Sequence, residues 1–208
     1  MKQKKFKPTS IALLLFFFSV AVPCQSSAGA PTEQIRASVD RVLTILKNSQ
    51  LKSPAKTKER REQLREVISS RFDFAEMARR SLGAQWRRLS PKEQEEFVRL
   101  YTDLLERAYI DRIEGYSDEK FVYIRENLDK DFAEVNSRII TEKGEEFSLN
   151  YKAHLVNEEW KVYDVVVENI SLVNNYRSQF SRIIANSSYE ELVRKMKEKQ
   201  IEIAKEKK

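Results

Sequence analysis

The 208-residue sequence contains one cysteine, Cys24, one histidine, His154, and only four glycines. With a single Cys and a single His, metal sites built on these ligands, Cys-His dyads and Ser-His-Asp triads are largely excluded. The glycines stand apart at 29, 83, 115 and 144, so there is no Gly-rich loop to cradle a phosphate and no nucleotide site is expected. No Asp-x-Asp-x-Asp-Gly calcium loop occurs either. Without a cysteine pair no disulfide within the chain can staple the fold, and the apolar core has to hold it together.

The chain also lacks an apolar run long enough to span a bilayer, which takes roughly 20 residues. The run that exists, Ile11 to Val22, follows Lys2, Lys4, Lys5 and Lys7 and precedes the small residues Ser26, Ser27, Ala28, Gly29 and Ala30. This is the layout of a secretory signal peptide, with cleavage expected after Ala28. A lipid anchor on Cys24 is disfavoured because Pro23 stands before it. The net charge of +6 then changes meaning. Four of the 38 basic residues leave with residues 1–28, so 34 basic residues face 32 acidic ones; segment 188–208 carries seven basic and five acidic residues, and 29–187 is neutral. A nucleic-acid binder would carry a basic excess across its fold, so no nucleic-acid partner is expected.

Periodicity divides the remainder into a helical part over 31–115, a sheet over 119–168, a helix over 171–186 and an amphipathic C-terminal helix with a charged tail over 188–208. Ile35, Val39, Val42, Leu43 and Leu46 share one helical face. The segment 55–70 is so charged that only Leu64, Val67 and Ile68 form an apolar stripe, and its charges are expected in water. Asp73 with Glu76 opens a short helix that Gly83 closes, and Ser90-Pro91-Lys92-Glu93 opens a long one. After Gly115 the period falls to two. Strands are expected around 121–125, 135–141, 147–155 and 160–167, with Gly144 in one hairpin turn and Asn157-Glu158-Glu159 in another. Ser188 with Glu191 makes another capping box and opens the last helix, whose apolar side includes Leu192, Met196 and Ile203. Helices, then about four antiparallel strands, then helix is an α+β order.

Few residues invite chemistry. Asp164, between Val162 and Val166, is either a general base in a cup or a buried acceptor for an Arg or a backbone N–H, and the second reading is preferred. His154 lies on the polar side of its strand and is expected to be exposed. The surplus is in aromatic and aliphatic side chains on the 97–113 helix and the strands, where spacing alone does not separate a packed core from a lined cavity.

Three segments add a resemblance. Phe72-Asp73-Phe74-Ala75-Glu76-Met77-Ala78 with Leu82-Gly83, Trp86-Arg87, Ser90 and Gln94, then Trp160-Lys161-Val162-Tyr163-Asp164-Val165, then Ser171-Leu172-Val173-Asn174-Asn175-Tyr176-Arg177-Ser178-Gln179-Phe180 together resemble the MlaC-type, or toluene-tolerance, periplasmic phospholipid-binding family over about 31–200. The sequence departs from it at Glu168-Asn169-Ile170, where the family commonly has Gly; Asn tolerates the same left-handed conformation.

The resemblance implies an NTF2-like cup whose sheet and helices enclose an apolar cavity, and a periplasmic, non-enzymatic carrier with a bound phospholipid as cargo and no cofactor or metal. It implies exchange between an outer-membrane lipoprotein–porin complex and an inner-membrane ABC transporter with an MCE-domain ring. The expected lining is Phe97, Leu100, Tyr101, Leu104, Tyr109 and Ile113 on the long helix, Val135, Ile139, Phe147, Leu149, Tyr151, Val162 and Val166 on the strands, and Leu172, Val173, Tyr176 and Phe180 on the following helix. Arg177 is the head-group candidate, or else the partner of a carboxylate; Trp86 and Trp160 are read as structural. The alternatives are a carrier of hopanoids or other lipids, a small NTF2-like isomerase or dehydratase using Asp164, and a periplasmic adaptor with a solid core.

Overall fold

A computed structural model describes residues 30–116, 118–199 and 201. The expected signal peptide with Cys24, and Ile203 in the tail, lie outside the described residues. The chain runs through α1 (Ala30–Lys47), two short 3-10 turns, α2 (Thr57–Arg71), α3 (Phe74–Leu82), a 3-10 segment (Gly83–Arg88) and α4 (Pro91–Glu114). Strands β1 (Lys120–Asp129), β2 (Phe132–Ile140), β3 (Glu146–Val156) and β4 (Glu159–Val167) follow, then the two-residue β5 (Ile170–Ser171), α5 (Leu172–Asn186) and α6 (Tyr189–Lys197). The five strands form one antiparallel meander in chain order, and the fold is α+β. Among the described residues no helix is long and apolar enough to cross a membrane.

Local chemistry sets the helix starts. Asp73 accepts the Glu76 N–H at 2.8 Å, and Ser188 accepts that of Glu191 at 3.2 Å. At α4, Ser90 and Glu93 bond reciprocally, with Pro91 at the first helical position. The β4–β5 turn places Asn169 at φ +66°, the left-handed conformation expected of it, and Glu168 at +48°.

Two bulges decide which side chains share a sheet face. In β4, Val162 pairs with Ala153 and Asp164 with Lys152, so Tyr163 is an extra residue. Strict alternation puts Val162, Asp164 and Val166 on one side; the bulge leaves Val162 beside Ala153 and sends Asp164 and Val166 to the face of Lys152 and Asn150. A second bulge in β1 leaves Ile124 as the extra residue.

The core is divided. On one face of the sheet, Ala133, Val135, Tyr151, Ala153, Trp160 and Val162 pack with Ile35 of α1. Met77, Phe97, Tyr101, Leu104, Tyr176, Phe180, Leu192 and Met196 form a helical cluster between α3, α4, α5 and α6. Its rings meet edge to face, Phe97 with Phe180 and Tyr101 with Tyr176, each pair 5.7 Å apart, and each fully buried apolar side chain there contributes about 1.5–3 kcal/mol. Leu46, Leu64 and Ile110 make a third cluster where α1, α2 and α4 converge.

The charges of α2 do not simply face water. Arg60, Arg61 and Arg65 reach carboxylates on α4. Arg71 donates to the Trp160 carbonyl at 2.6 Å and to Gln34 Oε1 at 2.7 Å. Guanidinium groups on long stems span gaps that apolar side chains at the same positions would leave open.

Candidate functional site

The side chains singled out as a cavity lining are distributed over the three clusters. Phe97, Tyr101, Leu104, Val173, Tyr176 and Phe180 are buried in the helical cluster, with Leu100, Tyr109 and Leu172 half-buried at its margin. Val135, Tyr151 and Val162 belong to the sheet cluster, with Leu149 at its margin, and Ile113 borders the third. Ile139 is buried, Phe147 is exposed, and Val166 lies on the opposite face, paired with Asn150 and Ser171.

Between α2 and α4 the helical cluster and the third cluster are separated by an apolar cleft of about 100 Å³. Its walls are Ile68, Phe74, Leu105, Tyr109, Ile110 and Ile113, with Ser69 and Thr102 beside them and Arg65 and Glu106 at the rim. Only Tyr109 and Ile113 of these were in the expected lining. Ile68 and Phe74 flank the α2–α3 corner, and the Asp73 cap that makes the corner is readable from sequence.

Three arginines of α2 bridge to α4, and one of them, Arg65, lines this cleft. Arg60 Nη2 lies 2.7 Å from Glu114 Oε1, and Arg61 Nη2 lies 2.7 Å from Asp111 Oδ1 and 2.6 Å from Glu114 Oε2. Arg65 Nε donates to Glu106 Oε2 at 3.0 Å, and its Nη2 pairs with the other oxygen. The Arg65 hydrogen bonds hold the Glu106 carboxyl below the usual glutamate range. At Glu114 burial works against the charge, and the hydrogen bonds from Arg61 and Arg60 outweigh it, so that carboxyl is lowered as well.

On the sheet side, burial pushes the Tyr151 phenol up, with Tyr123 and Tyr116 adding to the effect. The Tyr123 hydroxyl is buried with no hydrogen-bond partner among the described residues, and burial pushes it up to about 12. These phenols are neutral near pH 7 and behave as apolar surface with a polar tip.

The residues that invited chemistry are occupied structurally. Asp164 is 5 % exposed; one oxygen accepts the Ser171 hydroxyl at 2.6 Å and the other the Val173 N–H at 3.0 Å. It anchors the start of α5, the buried-acceptor reading. His154 is not exposed. It is half-buried, its Nε2 is 3.0 Å from Asp73 Oδ2, and its ring stacks on Phe132 and meets the edge of Tyr163. Asp73 reaches it because the Asp73 N–H donates to the Val162 carbonyl at 2.8 Å, tying the α2–α3 corner to β4. Arg177 is exposed and packs its guanidinium over Gly83, where a Cβ would stand 3.0 Å from Nε. Trp160 is buried in the sheet cluster and Trp86 borders the helical one.

The chain can be compared with known proteins on this basis. The phospholipid-binding protein from Ralstonia solanacearum, solved in complex with a phospholipid, superposes with a TM-score of 0.74 at 23 % identity, covering 85 % of this chain and all of that one. The intermembrane phospholipid transport system binding protein MlaC of Haemophilus influenzae is 26 % identical over 122 residues, 56 % of this chain. The aligned part spans 57 % of that relative's length. The family model described as "MlaC protein" matches residues 36–198, more than three quarters of the sequence. Fold and sequence agree, and the chain belongs to the MlaC family.

Proposed function

We propose that this protein is a phospholipid carrier that holds its cargo by the acyl chains between the sheet face and the helices. The observation that carries this reading is the match to the MlaC family over residues 36–198, and the apolar interior suits it, with one large cluster, two smaller ones and half-buried side chains at their margins. Acyl chains laid along those margins would complete that interior. The margins supply Leu100, Tyr109, Ile113, Leu149 and Leu172 from the expected lining, together with Phe74 and Tyr123. Family membership supports the reading, as do the transport role named for the Haemophilus relative and the phospholipid in the Ralstonia complex.

The energetics suit a shuttle. Two acyl chains bring roughly 30 methylenes, so moving them from water into the protein is worth about 24 kcal/mol. Release into water is then too slow to matter, whereas exchange with another apolar site is nearly neutral. A carrier of this kind needs docking partners instead of a reaction. In our reading it works in the periplasm after export, between an outer-membrane lipoprotein–porin complex and an inner-membrane ABC transporter with an MCE-domain ring, with Arg177 available to the head group. The cleft, at about 100 Å³, is smaller than the roughly 300–1,000 Å³ of ligand pockets. Loading therefore requires the clusters to move apart.

Transfer between two vesicle populations, one with a self-quenched fluorescent phospholipid, tests the function. Catalytic amounts of the protein are expected to accelerate dequenching in proportion to concentration. A rate equal to spontaneous exchange would count against it.

A further inference from the structure

Charge is spread unevenly over a fold that is neutral as a whole across 29–187. Residues 77–92 hold Arg79, Arg80, Arg87, Arg88 and Lys92 without one Asp or Glu, and residues 169–189 hold Arg177 and Arg182, again without one. The fold brings these two acid-free stretches together. Met77, Ala78 and Leu82 of α3 pack with Val173, Tyr176 and Phe180 of α5, and the Arg177 guanidinium lies over Gly83 at the end of α3. Arg87 and Arg88 stand on the 3-10 segment that begins at Gly83, within about 10 Å of it at a rise of ~2 Å per residue. Arg79 and Arg80 stand in the helical turn before it. The α2 arginines are answered by carboxylates of α4. Around Gly83, Glu76 pairs with both Arg79 and Arg80, whereas the exposed Arg87, Arg88 and Arg177 have no carboxylate partner among the described residues. Their spacing is comparable to the Debye length of roughly 8–10 Å, so their fields add.

We propose that this surface, made by α3, the Gly83–Arg88 segment and α5, is an electrostatic contact for an anionic bilayer, with Arg87, Arg88 and Arg177 meeting phosphates of its head groups. A protein interface centres on buried apolar and aromatic anchors. This surface offers none, because the exposed large apolar side chains among the described residues, Leu128 and Phe132 for example, are on the strands. A bilayer surface needs no such anchor. It presents phosphates in a plane, a guanidinium fork takes a phosphate in a bidentate manner, and each basic residue near the surface adds to the attraction. With nothing to insert, the contact is shallow, reversible and weakened by salt. It lies outside the apolar interior and does not depend on what that interior holds.

Flotation with vesicles tests this, using the exported chain with its N-terminus established by mass spectrometry. At low salt it is expected to rise with vesicles of phosphatidylcholine and phosphatidylglycerol, to stay behind with vesicles of phosphatidylcholine alone, and to leave the anionic vesicles at high salt. Arg87→Gln with Arg88→Gln should weaken the binding roughly tenfold, since each basic residue at the surface contributes. Arg87→Lys with Arg88→Lys, which keeps the charge, should stay within about twofold of the parent. Lys120→Gln with Lys143→Gln removes the same charge from exposed positions on the sheet and one of its hairpins, and should also stay within about twofold. Equal losses in the two glutamine pairs would overturn the proposal, because net charge and not this surface would then be responsible. Equal binding to neutral and anionic vesicles would overturn it as well. So would no flotation with the anionic vesicles; if immobilised polyglutamate then retained the chain through Arg87 and Arg88, the partner would be an acidic protein instead of a bilayer.

Discussion

Asp164 on β4 accepts the backbone N–H of Val173 at the start of α5 at 3.0 Å, with Ser171 on its other oxygen at 2.6 Å. The carboxylate therefore joins sheet to helix at a buried point, and its removal strands a donor. Asp164→Ala is expected to lower the unfolding free energy by about 1–3 kcal/mol for the unsatisfied N–H. Asp164→Asn, which keeps an acceptor, should lose less. Urea denaturation of the three proteins checks this, and an alanine variant as stable as the parent would contradict it.

Gly83 and Arg177 constrain each other. Gly83 has φ +59° and ψ −127°, a conformation open mainly to glycine, and the Arg177 guanidinium occupies the space a Cβ would need. Gly83→Ala is expected to cost about 1–3 kcal/mol. Adding Arg177→Ala should recover the part due to contact but not the part due to the backbone. A full recovery, measured by denaturant midpoint, would show that the backbone term is absent.

The α2–α4 bridges make stability depend on pH in a defined direction. Glu106 is lowered by its Arg65 hydrogen bonds; Glu114 is lowered because those from Arg61 and Arg60 overcome burial. A carboxyl lowered in the folded state binds fewer protons there than in the unfolded chain, so stability rises with pH across the window between the two values. The contribution is complete above the ordinary glutamate value of roughly 4.3 and is lost as the pH falls below it through the folded values. Stability followed downward from pH 6 should begin to fall in that window, and Glu106→Gln with Glu114→Gln should flatten the decline. An unchanged slope would contradict the assignment.

Tyr123 carries a buried hydroxyl with no partner among the described residues. Tyr123→Phe removes a polar group that has lost its water, so the variant is expected to be as stable as the parent or up to about 1 kcal/mol more stable. A destabilisation beyond about 1 kcal/mol in thermal or chemical unfolding would mean that the hydroxyl has a partner.

The features legible in the sequence were those whose partners lie a turn away. Asp73 with Glu76, Ser90 with Glu93 and Ser188 with Glu191 are each three residues apart; each first residue caps its helix as read, but only Ser90 and Glu93 close the reciprocal box, since the Glu76 carboxylate pairs with Arg79 and Arg80 and that of Glu191 with Arg194. What required the structure depends on distant partners. The α2 arginines meet carboxylates 41 to 54 residues away, so a helix that looked merely solvated bounds a cleft. His154 finds Asp73 across 81 residues. The extra residue Tyr163 exists only relative to the register of β3, which is why Val166 could be read onto the wrong face. For the site, the apolar stripes were visible, but their division into three clusters is set by helix placement and leaves no periodic trace.

The central claim is that the apolar interior of this protein receives the acyl chains of a phospholipid. Native mass spectrometry of the protein purified from a lipid-containing host, followed by solvent extraction and fragmentation of what is released, tests it most directly. The account predicts a population heavier than the polypeptide by the mass of one diacyl phospholipid, with a phosphate-bearing head group in the fragments. Protein of bare polypeptide mass, yielding no lipid on extraction, would contradict it.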